Sequence, residues 1–366
     1  MKKTTLVLTL VLVIALLAGC AGTPVIYYTD CTCPTGGHAA PVESTPVETD
    51  PVETTEPSVT AEGAVKTGVA IIASAAESTS AEDADGEAKY DVSVVAVTVD
   101  DSGVIQSCVI DSIGTSVKFD VNGAIVSDLT APIQTKNELG DAYNMKLYGG
   151  AVAEWYEQAA ALASYAEGKT VEELRAGAVD ETGHAADADL ATTATIYLGG
   201  YVAAIEKAVA NAQYLGAEAG DELKLAIISS VDGSKAADAE NAGLCELYTS
   251  VAAVTLRDGV ITSCMIDAVQ AKVNFDTVGT VTTDLTAPIQ TKNELGENYG
   301  MVAWGGAIAE WNEQAASFAA YITGKTPAEV ASIAVDETTK PTDADLSTSV
   351  TIKIGGFQAL IAKACN

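Results

Sequence analysis

The chain has 366 residues, 48% of them hydrophobic, and a formal net charge of -31 from 50 acidic and 19 basic residues. That length suffices for two domains with packed cores. Such a negative surface repels nucleic-acid phosphates and anionic lipid headgroups, which argues against either as a direct, charge-driven partner.

Met1-Lys2-Lys3 is a charged n-region, and residues 6–17 form an apolar h-region. This run is shorter than the roughly 20 residues a membrane-spanning helix needs. It closes on Leu17-Ala18-Gly19-Cys20, which resembles a bacterial lipobox. The resemblance implies removal of a signal peptide, residues 1–19, and acylation (palmitate-type) of the Cys20 thiol. More than one acyl chain holds a protein stably on a membrane, where a single chain is marginal. Residues 20–62 read as the lipidated cysteine and a tether. Pro41-Val42-Glu43, Pro46-Val47-Glu48 and Pro51-Val52-Glu53 recur among Thr and Ser, a composition that favours extended chain and buries no core.

The remainder reads as two copies of one unit, residues 63–215 and 221–366, with an offset of 156 between Asp189 and Asp345. In the first copy Val69 to Ser74 is an apolar run. Val92 to Val99 and Val104 to Ile110 flank the turn Asp100-Asp101-Ser102-Gly103, a hairpin signal. A second turn, Val121-Asn122-Gly123, follows. Then come a helical composition over Ala151 to Ala166, containing Trp155, and a capping box from Thr170 to Glu173. In the second copy the hairpin turns at Arg257-Asp258-Gly259, and Trp311 takes the place of Trp155. Residues 286–296 repeat residues 130–140 at all eleven positions. Strands first and helices later in each copy predict an α+β fold: a tandem repeat of two homologous domains, each an antiparallel sheet followed by helices.

Of seven cysteines, Cys108 and Cys264 are equivalent and lie in strand-like runs, so they read as core thiols. Cys31 and Cys33, near His38, read as a surface disulfide or free thiols, with a metal clip as the alternative. Cys245 and Cys365 have no counterparts, and no spacing is that of a zinc site.

The most informative repeat is Asp189-Leu190-Ala191-Thr192-Thr193-Ala194-Thr195-Ile196, which returns as Asp345-Leu346-Ser347-Thr348-Ser349-Val350-Thr351-Ile352. Leu198, Val202, Ile205 and Val209 keep helical spacing, so a helix is expected to start near Thr192 and Thr348, with Asp and Thr as N-caps. Gly199-Gly200 and Gly355-Gly356 then fall inside that helix, at a cost of roughly 2 kcal/mol relative to alanine. Two readings stay open here. The threonines only cap a helix, or the positive helix end with its free N–H groups receives a phosphate.

The motif resembles the attachment site of the FMN-binding domain family, Asp-x-x-Ser/Thr-Gly-Ala-Ser/Thr, in which a separate flavin transferase esterifies the last residue. Asp189, Thr192, Ala194 and Thr195 match in the first copy, and Asp345, Thr348 and Thr351 in the second. Thr193 and Ser349 replace the glycine, and Val350 replaces the alanine. The lipobox, the Pro/Thr tether, the two repeats, the segments 288–296 and 309–315, and Asp343-Ala344-Asp345-Leu346 together are similar to the flavinylated lipoproteins of Gram-positive extracellular electron transfer. The resemblance implies FMN bound covalently as a phosphoester on Thr195 and Thr351. It implies a lipid-anchored location on the extracytosolic face of the cell membrane. A membrane quinone-linked dehydrogenase would be the electron donor and extracellular acceptors the recipients. In some members the signal peptide also yields a pheromone, here within residues 10–19. Trp155 and Trp311 are candidates to stack on the flavin ring, with core residues as the alternative. Asn137 and Asn293, with Lys136 and Lys292, are candidates to hydrogen-bond it, with turn residues as the alternative.

These readings favour an electron carrier over a substrate-specific flavin reductase. The alternative is a non-redox ligand-binding or surface-interaction lipoprotein whose Thr motif is a helix cap. Hydrolysis is disfavoured: the only histidines are His38 and His184, and the counterpart of His184 is Lys340. No catalytic residue and no metal ligand is assigned.

Overall fold

A computed structural model describes residues 63–365. The signal peptide, Cys20, the tether, Cys31, Cys33 and His38 lie outside the described residues. The first half forms an antiparallel sheet in the order β1 (Lys66–Ser74), β2 (Gly86–Val99), β3 (Ile105–Phe119). The second forms β4 (Glu222–Ser230), β5 (Gly243–Arg257), β6 (Val260–Phe275) in the same order. Each sheet is followed by helices, so the fold is α+β. Among the described residues no helix is long and apolar enough to cross a membrane.

The hairpin turns follow from their residues. Between β2 and β3, Asp100 Oδ1 accepts from the Ser102 and Val104 N–H groups, and Gly103 takes φ +80°. Between β5 and β6 the connection shrinks to Asp258 and Gly259, both at positive φ, the requirement of a type I′ turn.

The central strands are buried on both faces, and successive residues serve different cores. Val92, Val94 and Ala96 face the opposite sheet, while Val95, Val97 and Val99 face the helices Trp155–Ala166 and Gly199–Ala210. The second half repeats this with the helices Trp311–Ile322 and Gly355–Ala364. The two sheets therefore pack face to face, and the halves share a central core within one compact unit.

The packing is reciprocal, as across a twofold axis. Phe119 and Phe275 stack with centroids 4.0 Å apart and planes 7° from parallel. A Cβ at Gly86 or Gly243 would collide with one of these rings. The Ala81 N–H donates to Gly279 O, and the Ala237 N–H to Gly123 O, each at 2.8 Å. Lys207 pairs with Glu294 at 2.8 Å, and Lys363 with Glu138 at 2.7 Å.

The helix boundaries differ from expectation in two places. Trp155 is the first residue of its helix, because Glu154 caps it and pairs with Glu157 in a capping box. The expected helix starting near Thr192 does not form. A short helix, Ala188–Thr193, is capped by Asp187 and ends there; its counterpart is the 3-10 turn Leu346–Thr348. The long helices begin only at Gly199 and Gly355. The glycine pairs thus occupy the first turn and escape the mid-helix cost. The threonines are not N-caps of these helices: Thr192 and Thr348 donate their hydroxyls to Asp189 O and Asp345 O, each at 2.7 Å.

Candidate functional site

Thr195 and Thr351 lie on the short non-helical segment between those helices, and both are held by a buried glutamine. Gln158 Oε1 accepts from the Thr195 N–H at 2.7 Å, the Ile196 N–H at 3.1 Å and the Thr195 hydroxyl at 3.3 Å. Gln314 Oε1 accepts from the Thr351 N–H at 2.8 Å, the Ile352 N–H at 3.2 Å and the Thr351 hydroxyl at 3.2 Å. Both glutamines are fully buried. Their Nε2 groups donate to Ala153 O and Ala309 O at 2.8 Å, which fixes the amide orientation. The two backbone bonds hold the segment without the hydroxyl, so each Oγ can change partner while the loop stays latched. Thr195 is exposed and Thr351 half-buried.

Sequence reasoning missed Gln158 and Gln314. A signal existed: a glutamine three residues after each duplicated tryptophan lies on the tryptophan's helical face, where an amide must find partners.

A cleft of about 610 Å³ opens at Thr351, within the range of small-molecule and cofactor sites. Tyr248, Trp311 and Phe357 give it aromatic walls, and Lys340 and Lys353 line it as well. Gly356, in the first turn of its helix, is also on the lining, and a Cβ there would meet nothing within 4 Å. First-turn N–H groups have no intrahelical acceptor.

Beneath the cleft Lys292 sits among three aromatic rings. Its Nζ lies 4.7 Å from the centroids of Tyr248 and Tyr299 and 4.8 Å from Trp311, and it donates to Tyr248 Oη at 3.2 Å. Burial lowers this ammonium to about 8, against the nearby charges of Glu246 and Asp267, which favour its protonated form. Lys136 is placed similarly, 5.2 Å from Trp155 and 5.4 Å from Tyr143.

The other sequence candidates divide. Trp311 lines the cleft with Thr351, edge-on to Phe357 at 5.8 Å; Trp155 is edge-on to Tyr201 at 5.7 Å and donates to its hydroxyl. Both tryptophans are buried. Asp189 and Asp345 are exposed, at the start of the latched segment. Asn137 and Asn293 stitch their loops to the sheets. Their side chains donate to Ile110 O and Ile266 O, and their N–H groups to Asp111 and Asp267 Oδ1. Asn293 lines a different cavity, about 780 Å³, which also carries Asn211 and Tyr214 of the first half.

Asp267 is 2% exposed, and burial raises its carboxyl to about 6 despite hydrogen bonds from Thr291, Asn293 and Ala268. Cys108, Cys245 and Cys264 are buried free thiols; burial raises all three, Cys245 to about 12, so they are unreactive core residues.

The chain matches no family model, no curated protein and no solved structure in comparisons with known proteins.

Proposed function

We propose that the chain is a membrane-anchored, extracytosolic electron-transfer flavoprotein, with FMN joined as a phosphoester to Thr195 and Thr351. The observation that carries this reading is the glutamine latch, which presents one threonine hydroxyl per half on a backbone that does not need that hydroxyl to keep its shape. In forming the ester the Thr Oγ would displace a leaving group from the flavin phosphate, its proton departing with that group; the hydroxyl's bond to glutamine would be lost and the two N–H bonds would stay in place.

The residues at the Thr351 cleft suit such a group. Thr351 would carry it, Lys340 and Lys353 would balance phosphate charge, and Tyr248, Trp311 and Phe357 would bound the ring. Bound flavin would supply reversible electron uptake; the chain's own residues position it, exclude water and set the local charge. Two similar halves would give two such sites on one scaffold. A flavin transferase as loading partner, a quinone-linked dehydrogenase as donor and extracellular acceptors rest on the family resemblance of the lipobox, tether and motifs.

The test is absorbance of the protein from its native host after denaturation and desalting. Flavin absorbance that stays with the polypeptide supports covalent attachment. A colourless polypeptide would leave the non-redox binding alternative, for which the 780 Å³ cavity between the halves is the natural place to look.

A further inference from the structure

The two latched threonines share a backbone and differ in charge. Strand pairing makes Asp91 and Tyr248 equivalent: Gly86 pairs with Phe119 and Gly243 with Phe275, and each residue lies five positions further along. The hydroxyl of Tyr248 that receives the Lys292 ammonium is thus replaced in the first half by a carboxylate. Asp91 acts there on its surroundings, helping to raise the Tyr143 phenol after the larger effect of burial. Lys340 and Lys353, both on the Thr351 cleft, have His184 and Tyr197 as their counterparts. His184 and Tyr197 meet edge-on at 6.1 Å, and Tyr197 leans over Gly183. At these three positions the Thr351 side is the more positive each time; Glu246 beside Lys292, which corresponds to Lys89 in the first half, is the one position in this comparison that runs the other way. The core cation follows the same direction: Lys292 is buried, whereas Lys136 is only half-buried.

Positive charge near a flavin favours its electron-rich reduced form, and negative charge opposes it. Lys340 and Lys353 are exposed and therefore partly screened; Lys292 is buried and is screened least.

We propose that the two sites are an ordered pair in potential, with the Thr351 site at the higher reduction potential. The proposal rests on the flavin reading above. With both sites loaded, exchange of two electrons and two protons between the flavins would balance without another reactant and would leave the Thr351 flavin the more reduced.

The experiment loads Thr195→Ala and Thr351→Ala proteins, so that each carries one flavin, confirms the load by intact mass and titrates each spectroelectrochemically. The expected result is a higher midpoint for Thr195→Ala, whose flavin is on Thr351. Adding Lys340→His and Lys353→Tyr, both at exposed positions, should lower that midpoint; adding Tyr248→Asp should lower it further. Equal midpoints, the reverse order, or a midpoint that the Lys340→His/Lys353→Tyr pair leaves unmoved would overturn the proposal. Absence of flavin mass from both proteins would remove the flavin reading itself, and the ordered pair with it. The mass step and the potential step thus separate the two failures.

Discussion

Gln314 Oε1 stands 2.8 Å from the Thr351 N–H and 3.2 Å from its hydroxyl oxygen, and Gln158 repeats this at Thr195. A single amide oxygen thus organises each candidate attachment segment. Gln314→Leu would leave the Thr351 and Ile352 N–H groups without that acceptor, at about 1–3 kcal/mol for each group that stays dry. The expected outcome is a lower unfolding midpoint in denaturant, together with loss of flavin load at Thr351 and normal load at Thr195. Peptide mapping of the co-expressed variant reads the load at each site.

The stacked rings of Phe119 and Phe275 make the halves interdependent. Phe275→Ala should cost about 3–5 kcal/mol, as for other buried aromatic truncations. It should also lower the stability of both halves together. Unfolding of the wild type and the variant, followed by calorimetry, should remain a single transition. A first half that melts at its original temperature in the variant would contradict the shared core.

Asp267 gives a pH dependence with a defined sign. Its folded carboxyl is raised from 3.8 to about 6, so between those values the folded state binds more protons than the unfolded state. Stability from this group is therefore present below pH 3.8 and is lost as the pH rises through 6. The full loss is about 3 kcal/mol, taking 1.36 kcal/mol per unit. Asp267→Asn keeps an oxygen acceptor for the Ala268 and Asn293 N–H groups. It should remove this slope and raise stability at neutral pH, as measured by urea unfolding at pH 4, 6 and 7.

Thr339 adopts φ +65°, a region that β-branched residues avoid, and the equivalent residue of the first half is Gly183 at φ +77°. Thr339 O accepts from the Ile354 N–H at 2.8 Å, which ties the strain to the start of the Gly355–Ala364 helix. Thr339→Gly should relieve it and stabilise the protein by about 1 kcal/mol, after the entropy of glycine is subtracted. Thermal unfolding checks the direction.

Much of this fold was legible in the sequence. The valine-rich runs, the Asp-Gly hairpin turn and the Thr170–Glu173 capping box each depend on neighbours a few residues away, and each took the expected form. The shared core was not legible. A strand buried on both faces reads as a continuous apolar run, which does not reveal that Val94 meets another sheet while Val95 meets a helix. The start of the Gly199–Ala210 helix was misplaced because Thr192 and Thr193 bond back to Asp189 and Leu190 and close a separate turn. Gln158 looked like one more polar helical residue; its role depends on a loop 37 positions away.

The most direct measurement is the intact mass of residues 21–366 co-expressed with a flavin transferase, beside Thr195→Ala, Thr351→Ala and the double variant. Attachment at both threonines predicts a gain of two FMN groups, each less one water, in the parent, a gain of one in each single variant and none in the double. An unchanged mass for the parent, or a gain that persists in the double variant, would contradict attachment at these two threonines.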